Sequence, residues 1–335
     1  MMDANVIIEA KDLKVHFELK KSIMGDLLGK DHRLLRAVDG VSFQVRKGEI
    51  LSLVGESGCG KTTTGKALLG LVKPTEGAVF FRGQEIKEYD RKGMKQFRRK
   101  AQMIFQDPYQ SVNPRDRVMD IVAEPLDIHR LVRSEGERQE KVAQALELAG
   151  MIPPQDFFER FPHELSGGQR QRVVIASSII LEPDFLVADE PVSMLDASIR
   201  TEILSLMLDL RGKRGLSYLF ITHDLSLAWL ISHRIAIMYL GKIMEIGGAD
   251  QLIHRGVHPY TRALTSVMPL PGVRKEGPRP ILPGEIPSPM EELAGCKFSG
   301  RCPRAEKLCQ QECPQLMEAE ADHYVACHFA EEFMA

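Results

Sequence analysis

Gly55-Glu56-Ser57-Gly58-Cys59-Gly60-Lys61-Thr62 places glycines at its first, fourth and sixth positions ahead of a Lys-Thr pair, a pattern suited to holding phosphate. Backbone N–H groups of such a loop, with the N-terminus of a helix beginning near Lys61, converge on one point where phosphate oxygens find donors. Side chains would obstruct that approach, hence the glycines. Lys61 would neutralise the terminal phosphates, the Thr62 hydroxyl would help hold Mg²⁺, and Thr63 adds a phosphate contact. Cys59 sits at a variable place in the loop and reads as a small packing residue rather than a nucleophile. The loop follows an apolar run, residues 51–54, that reads as a buried strand, which is the context the motif requires.

A second apolar run, Phe185-Leu186-Val187-Ala188, ends in Asp189-Glu190. Carboxylates at the end of a buried strand can reach a metal-bound phosphate. Asp189 is the natural Mg²⁺ partner, directly or through water, and Glu190 the general base or water-positioning group, because hydrolysis needs an in-line water more than covalent chemistry. A third run, residues 218–222, delivers His223, which reads as a sensor of the terminal phosphate that also orients water and Glu190.

Three further segments carry a resemblance. Leu165-Ser166-Gly167-Gly168-Gln169, Gln106 in Ile104-Phe105-Gln106-Asp107-Pro108, and Ser193-Met194-Leu195-Asp196 resemble the signature, the lid glutamine and the dimer loop of ATP-binding cassette (ABC) ATPases. Met194 stands where that family more often has alanine. The resemblance implies an α/β fold: a RecA-like phosphate-loop core with an antiparallel β subdomain and a helical signature subdomain. It also implies a head-to-tail dimer in which Ser166, Gly167 and Gly168 of one chain, with Gln169 behind them, cap the γ-phosphate held by the other. Gln106 then joins Glu190 and His223 among the catalytic residues and Thr62 and Asp189 around Mg²⁺. Phe17, in Leu13-Lys14-Val15-His16-Phe17, falls where the family stacks an aromatic on adenine, a contact that suits a flat π system.

Composition agrees with a core-bearing protein. The 335 residues are 44% hydrophobic, enough for one main domain and an appendage. No stretch approaches the roughly 20 apolar residues of a spanning helix, and Met1-Met2-Asp3-Ala4-Asn5 is not a secretion signal. A formal charge of -2 argues against a nucleic-acid surface. The basic run 91–100 reads as a solvated helix face. Residues 1–90 show short strands and turns, 107–182 a mostly helical pattern in which Gly150 stops one helix, and strands alternate with helices to about residue 248. Residues 269–289, rich in Pro and Gly, read as an extended linker. The expected domains are 1–250 and 251–335.

Cys296, Cys302, Cys309, Cys313 and Cys327 occupy 32 residues, whereas the preceding 295 contain only Cys59. Without a secretion signal, clustered cysteines read as thiolate ligands rather than disulfides. Intervals of five, six, three and thirteen residues lack the paired arms of a zinc ribbon and suit a [4Fe-4S] cluster at least as well. His258-Pro259-Tyr260-Thr261-Arg262-Ala263-Leu264, Gly295-Cys296-Lys297-Phe298 and Arg301-Cys302-Pro303 resemble the C-terminal extension of oligopeptide and dipeptide importer ATPases. That resemblance implies cluster ligation by Cys296, Cys302, Cys309 and Cys327, with Cys313 surplus and the fourth ligand left open by its presence. Far along the sequence from Lys61 and Glu190, the cluster is expected to serve structure or docking.

Residues 20–35 and Phe105-Gln106-Asp107-Pro108-Tyr109 resemble the second of the two nonidentical ATPases in these importers. The expected function is therefore ATP hydrolysis powering peptide import from the cytoplasmic face of the inner membrane. Expected partners are a second ATPase subunit, two transmembrane permeases and, indirectly, an extracytoplasmic binding protein. Nickel complexes, oligosaccharides and glutathione are alternative cargoes, and a soluble ABC ATPase acting on DNA or ribosomes is the competing class.

Overall fold

The structure, a computed structural model, describes residues 5–19, 33–268, 282–285 and 287–334. Most of segment 20–35 and of linker 269–289 lies outside them. The chain forms two compact units that interleave in sequence: Met1–Ile8, Val45–Glu49 and Phe81–Phe220 in one, Glu9–Gln44, Ile50–Phe80 and Ile221–Ala335 in the other.

The first unit is built on parallel strands Ala101–Ile104 and Phe185–Asp189, paired from Ala101 opposite Phe185 to Ile104 opposite Ala188. A parallel pair needs a long crossover, supplied here by helices Val118–His129, Glu135–Leu148 and Gly167–Ile179. These lie within the stretch 107–182 expected to be mostly helical, whose remaining residues form turns and short 3₁₀ segments. Their apolar faces share one core of Val118, Val122, Val142, Leu146 and Val173, each side chain contributing about 1.5–3 kcal/mol by leaving water. Helix starts are marked by side-chain caps: Ser134 accepts from Glu137 N at 3.2 Å, and Asp196 from Ile199 N at 3.1 Å. Caps of this kind satisfy N–H groups that the helix leaves without partners. The basic run forms helix Arg91–Lys100, capped by Asp90, with Phe97 as its one buried residue.

The second unit carries strand Ile50–Val54 parallel to Arg234–Tyr239, with Lys242–Gly248 antiparallel beyond it. The hairpin turn Leu240-Gly241 has both φ values positive, 42° and 80°, the handedness that matches strand twist in a two-residue turn. His323–Val325 then adds to the sheet beside Lys242–Gly248, Glu245 facing Val325, and Met317–Glu320 follows outside it. The cysteine segment has no separate core: Cys296, Phe298 and Cys309 pack in one cluster with Val54, Ile237, Tyr239 and Tyr260.

Polar groups inside this unit are held by Glu245. Its carboxylate, fully buried, accepts from Val257 N at 2.8 Å and His258 N at 2.9 Å, and lies 2.7 Å from His323 Nε2. His258 in turn caps helix Pro259–Val267, its Nδ1 accepting from Tyr260 N at 3.1 Å. Burial pushes the His258 imidazole down to about 4, against the opposing pull of Glu245. An unfolded chain takes up that proton near pH 6.5 and the folded chain only near pH 4. The resulting stability is complete above about pH 6.5 and declines as pH falls towards 4, by at most about 1.4 kcal/mol per pH unit for one proton. His258→Asn keeps a cap acceptor but does not titrate. Urea unfolding between pH 7 and 4.5 is expected to show a shallower acid loss in the variant, and equal slopes would remove His258 as the responsible group.

Candidate nucleotide site and cysteine cavity

Strand Ile50–Val54, buried at every position, runs into the glycine loop, and helix Lys61–Leu68 leaves it. Two glycines are required by close approach. A Cβ on Gly55 would stand 2.1 Å from Met238 O, and one on Gly60, where φ is 105°, would stand 2.0 Å from Ala37 O. The loop is further tied to the hairpin turn by Gly241 N, which donates to Cys59 O at 2.9 Å. Lys61 curls back into the loop, its ammonium donating to Gly55 O at 2.7 Å and Glu56 O at 3.0 Å. Thr62 and Thr63, half-buried, open the helix, and Ser57 and Gly58 are exposed at the loop's crest. Cys59 is buried, and burial raises its thiol pKa against the pull of Lys61, as suits a packing residue.

In the same unit Phe17 lies near the end of strand Val6–Leu19 and is 38% exposed, open enough for a flat ring to lie on it. Strand Ser217–Thr222 ends immediately before His223, which is exposed. Asp224 fixes the backbone there by accepting from Ser226 N at 2.9 Å and Leu227 N at 3.3 Å.

In the other unit the register of the parallel strands determines the carboxylate arrangement. Because Ile104 pairs with Ala188, the residues two beyond each emerge side by side, and Gln106 Nε2 donates to Glu190 Oε2 at 3.1 Å. Asp189 is buried at the end of its strand. Glu190 takes a left-handed φ of 46°, which costs a non-glycine residue energy and is found where surrounding contacts impose it. Here Ser193 imposes it, donating from N at 3.2 Å and from Oγ at 3.0 Å to Glu190 O.

The segment 165–169 is a helix start. Ser166 Oγ accepts from Gln169 N at 3.2 Å while Gln169 Oε1 accepts from Ser166 N at 3.0 Å, a reciprocal capping box. Gly167 and Gly168 form the first turn of helix Gly167–Ile179, the positive end of its dipole. A Cβ on Gly168 would stand 2.6 Å from Ile199 Cγ2. Arg170 holds this start to the chain after Gln106: its Nε donates to Pro162 O at 3.0 Å and its guanidinium lies 3.9 Å from the Tyr109 ring centre. That contact was not foreseen from sequence.

All six cysteines are free thiols. Cys296, Cys302, Cys309 and Cys327 line one cavity with His258 and Phe298. Cys313 is not among its lining residues, and its Sγ faces Pro314 O at 3.9 Å. A close approach builds the cavity wall: Cys296 N donates to Cys309 O at 2.7 Å, and a Cβ on Gly295 would stand 2.2 Å from that oxygen. Burial pushes the Cys296 thiol up to about 12, with the neighbouring thiols adding to it, and raises Cys302 and Cys327 as well. Among the described residues no three His, Cys, Asp or Glu side chains converge closely enough to hold a single metal ion.

Distance along the chain proves a poor guide for this segment. Arg301, adjacent to Cys302, lies with Nη1 3.1 and 3.2 Å from the two carboxylate oxygens of Glu56 in the phosphate loop. Lys297 Nζ lies 3.1 Å from Asp39.

A buried strand running into a glycine loop closed round a lysine, with a helix leaving it, is the arrangement of a phosphate-loop nucleotide-binding protein. Residues 38–193 match the ABC transporter family, and residues 244–309 match the oligopeptide/dipeptide transporter C-terminal region. The chain is 46% identical to a putative oligopeptide transport ATP-binding protein, YkfD of Bacillus subtilis, over 96% of this chain and 95% of that protein. It is 41% identical to the di/tripeptide transport ATP-binding protein DppF of Pseudomonas aeruginosa, over 98% and 99%. In fold it resembles a dimeric bacterial ABC transporter cassette, with a TM-score of 0.63 and 26% identity over 72% of this chain and 99% of that one. A post-hydrolysis cassette bound to ADP and Pi matches equally well. The chain belongs to the ATP-binding subunits of the ABC transporter family, and it is an ATPase of that type.

Gly60 and Gly48 separate two reasons for glycine. Both have positive φ, but nothing lies within 4 Å of a Cβ on Gly48. Gly48→Ala is expected to cost about 1 kcal/mol from backbone strain. Gly60→Ala should cost on the order of 3 kcal/mol or more and abolish nucleotide binding. Thermal unfolding with analogue titration reads both, and equal losses would mean that the approach to Ala37 is not what demands glycine.

Proposed function

We propose that this chain is the ATP-hydrolysing subunit of an importer of oligopeptides or dipeptides. The observation that carries the hydrolytic reading is the Gln106–Glu190 contact at 3.1 Å, which aims the strand-end carboxylate and the lid amide at one place. The cargo reading rests on the C-terminal region, matched over 244–309, and on peptide-transport relatives along nearly the whole chain.

In this reading the N–H groups of loop 55–60, Lys61, Thr62 and Thr63 bind the phosphates, and Phe17 stacks on adenine. Thr62, Asp189 and the amide oxygen of Gln106 offer the hard oxygen donors that Mg²⁺ takes, and the ion supplies charge neutralisation on the phosphates. Glu190 accepts a proton from the attacking water, and Gln106 and His223 hold that water and sense the terminal phosphate. Ser166, Gly167 and Gly168, at a helix N-terminus fixed by Gln169, present N–H groups to the γ-phosphate on a second ATPase subunit. That subunit is a nonidentical partner, and the pair acts on two transmembrane permeases served by an extracytoplasmic binding protein. Among the described residues no helix is long and apolar enough to cross a membrane, so attachment to the cytoplasmic face of the inner membrane runs through the permeases. Residues 1–250 serve as the ATPase domain and 251–335 as its cysteine-rich extension.

Cys296, Cys302, Cys309 and Cys327 are proposed to hold a [4Fe-4S] cluster. One tetrahedral zinc needs its sulfurs drawn together round Zn–S bonds of about 2.3 Å, whereas a cluster spreads its thiolates over four irons. Four thiols round one cavity are the ligand count that a [4Fe-4S] cluster takes. Burial that disfavours the thiolates of Cys296, Cys302 and Cys327 is a cost that a cationic cluster core would offset.

Glu190→Gln is expected to keep nucleotide binding and lower steady-state turnover of the assembled complex by roughly 10²- to 10⁴-fold, the usual contribution of a general base. Unchanged turnover would exclude Glu190 from that role. For the cavity, anaerobically purified protein should be brown with about four irons per chain. Serine at any of the four positions should lose the iron, and Cys313→Ser should keep it. A colourless protein with one zinc per chain would overturn the cluster, and iron kept by Cys327→Ser but lost from Cys313→Ser would reassign the fourth ligand.

A further inference from the structure

The ion pair between Arg301 and Glu56 joins the cysteine segment to the phosphate loop at the loop's only acidic residue. From 55 to 63 the charged side chains are Glu56 and Lys61 alone. Lys61 Nζ lies 3.0 Å from the Glu56 carbonyl oxygen, so the lysine charge and the Glu56 backbone are in contact. An unopposed carboxylate there would cancel much of the field with which Lys61 attracts a polyphosphate. The Glu56 side chain is 26% exposed and that of Arg301 11%, so water screens the pair only partly.

Arg301 is held for this contact from several sides. It ends a short 3₁₀ turn, Ser299–Arg301, and its guanidinium stands 5.9 Å from the Tyr239 ring centre. Phe298, one residue before the turn, packs against Tyr239 and Tyr260 at centroid distances of 5.4 and 5.3 Å. At the other end of the same segment Lys297 pairs with Asp39, which also lies 3.3 Å from His16 Nε2. Burial works against the Asp39 carboxylate, yet Lys297 holds it below the ordinary range. Residues 297–301 thus clasp two segments at once: the loop bearing Glu56 and, through Asp39, the strand Arg33–Arg46.

We infer that Arg301 is a positioning residue for ATP: it anchors and neutralises Glu56, so that the phosphate loop presents Lys61 to the nucleotide without an opposing negative charge. The two charges then act on nucleotide affinity with opposite signs. Removing the arginine leaves a carboxylate beside the phosphates, and removing the carboxylate leaves an extra cation there. A bond that merely stiffened the fold would show the same sign from either side.

The experiment is titration of the full chain with a non-hydrolysable ATP analogue, in the parent, Arg301→Gln, Arg301→Lys, Glu56→Gln and the double variant Arg301→Gln/Glu56→Gln. Arg301→Gln is expected to weaken binding about tenfold, the size of one charged hydrogen bond. Arg301→Lys should retain most of the affinity, Glu56→Gln should bind more tightly than the parent, and the double variant should return close to it. Parent affinity in Arg301→Gln would overturn the inference. So would an equal loss in both single variants with no recovery in the double, which identifies a structural tie. The inference rests on loop 55–63 being the ATP site. A parent that does not bind the analogue would refute that reading, whereas a parent that binds alongside variants that do not differ refutes only the role of Arg301.

Discussion

Backbone N–H groups can surround a polyphosphate only where the chain carries no side chains and cannot move away, and these two demands conflict, since glycine is the most mobile residue. The conflict is resolved by contact. Gly55 lies against Met238 O and Gly60 against Ala37 O at distances no Cβ would permit, so the positions that must be glycine are also the positions most tightly enclosed. Met238 and the turn at Gly241 belong to the hairpin next to the loop's own strand. The parallel pairing of Ile50–Val54 with Arg234–Tyr239 therefore encloses the loop at Gly55, and Ala37 of the strand Arg33–Arg46 encloses it at Gly60. Lys61 completes the enclosure by bonding the carbonyls of Gly55 and Glu56.

The carboxylate half follows a different logic, in which strand register replaces enclosure. Parallel strands deliver their following residues at the same edge, so pairing Ile104 with Ala188 places Gln106 next to Glu190, where its Nε2 donates to Glu190 Oε2 at 3.1 Å. The left-handed φ of Glu190, imposed by Ser193, then turns the carboxylate out of the strand direction. Signature residues are positioned by yet another local device, the Ser166–Gln169 capping box. Each part of the machinery thus rests on short-range backbone chemistry, and long side chains are used sparingly.

This explains what could be read from the sequence. The glycine loop, the apolar runs before Asp189 and His223, the Ser-x-x-Gln helix start and the stop at Gly150 are local: residue type dictates backbone behaviour within a few positions. The contact of Gln106 with Glu190 was not legible because it depends on which strands are neighbours. The grouping of Cys296, Cys302, Cys309 and Cys327 was implied by the family resemblance, but the means was not legible: His323–Val325, just before Cys327, adds to the sheet beside Lys242–Gly248. Glu245, placed mid-strand and fully buried with His323 as partner, looks in sequence like an ordinary surface carboxylate. Arg301 stands in an Arg-Cys-Pro motif, yet its partner lies 245 positions away, and nothing in the spacing of either residue announces the other.

The absence of a separate core for the cysteine segment bears on how such an extension can influence hydrolysis. A domain on a flexible tether communicates only through collisions or a shared partner, whereas Phe298 and Cys296 share a core with Val54, the last strand residue before the phosphate loop. Protein interiors are close-packed, so a change of volume in one wall is felt by its neighbours. The cavity lined by Cys296, Cys302, Cys309 and Cys327 has Phe298 in its wall, and Phe298 packs on Tyr239 and Tyr260. Tyr239 lies under Arg301, and Arg301 holds Glu56. From the cavity to the phosphate loop the contacts run through Phe298, Tyr239 and Arg301 to Glu56, so the extension meets the loop at a charged side chain.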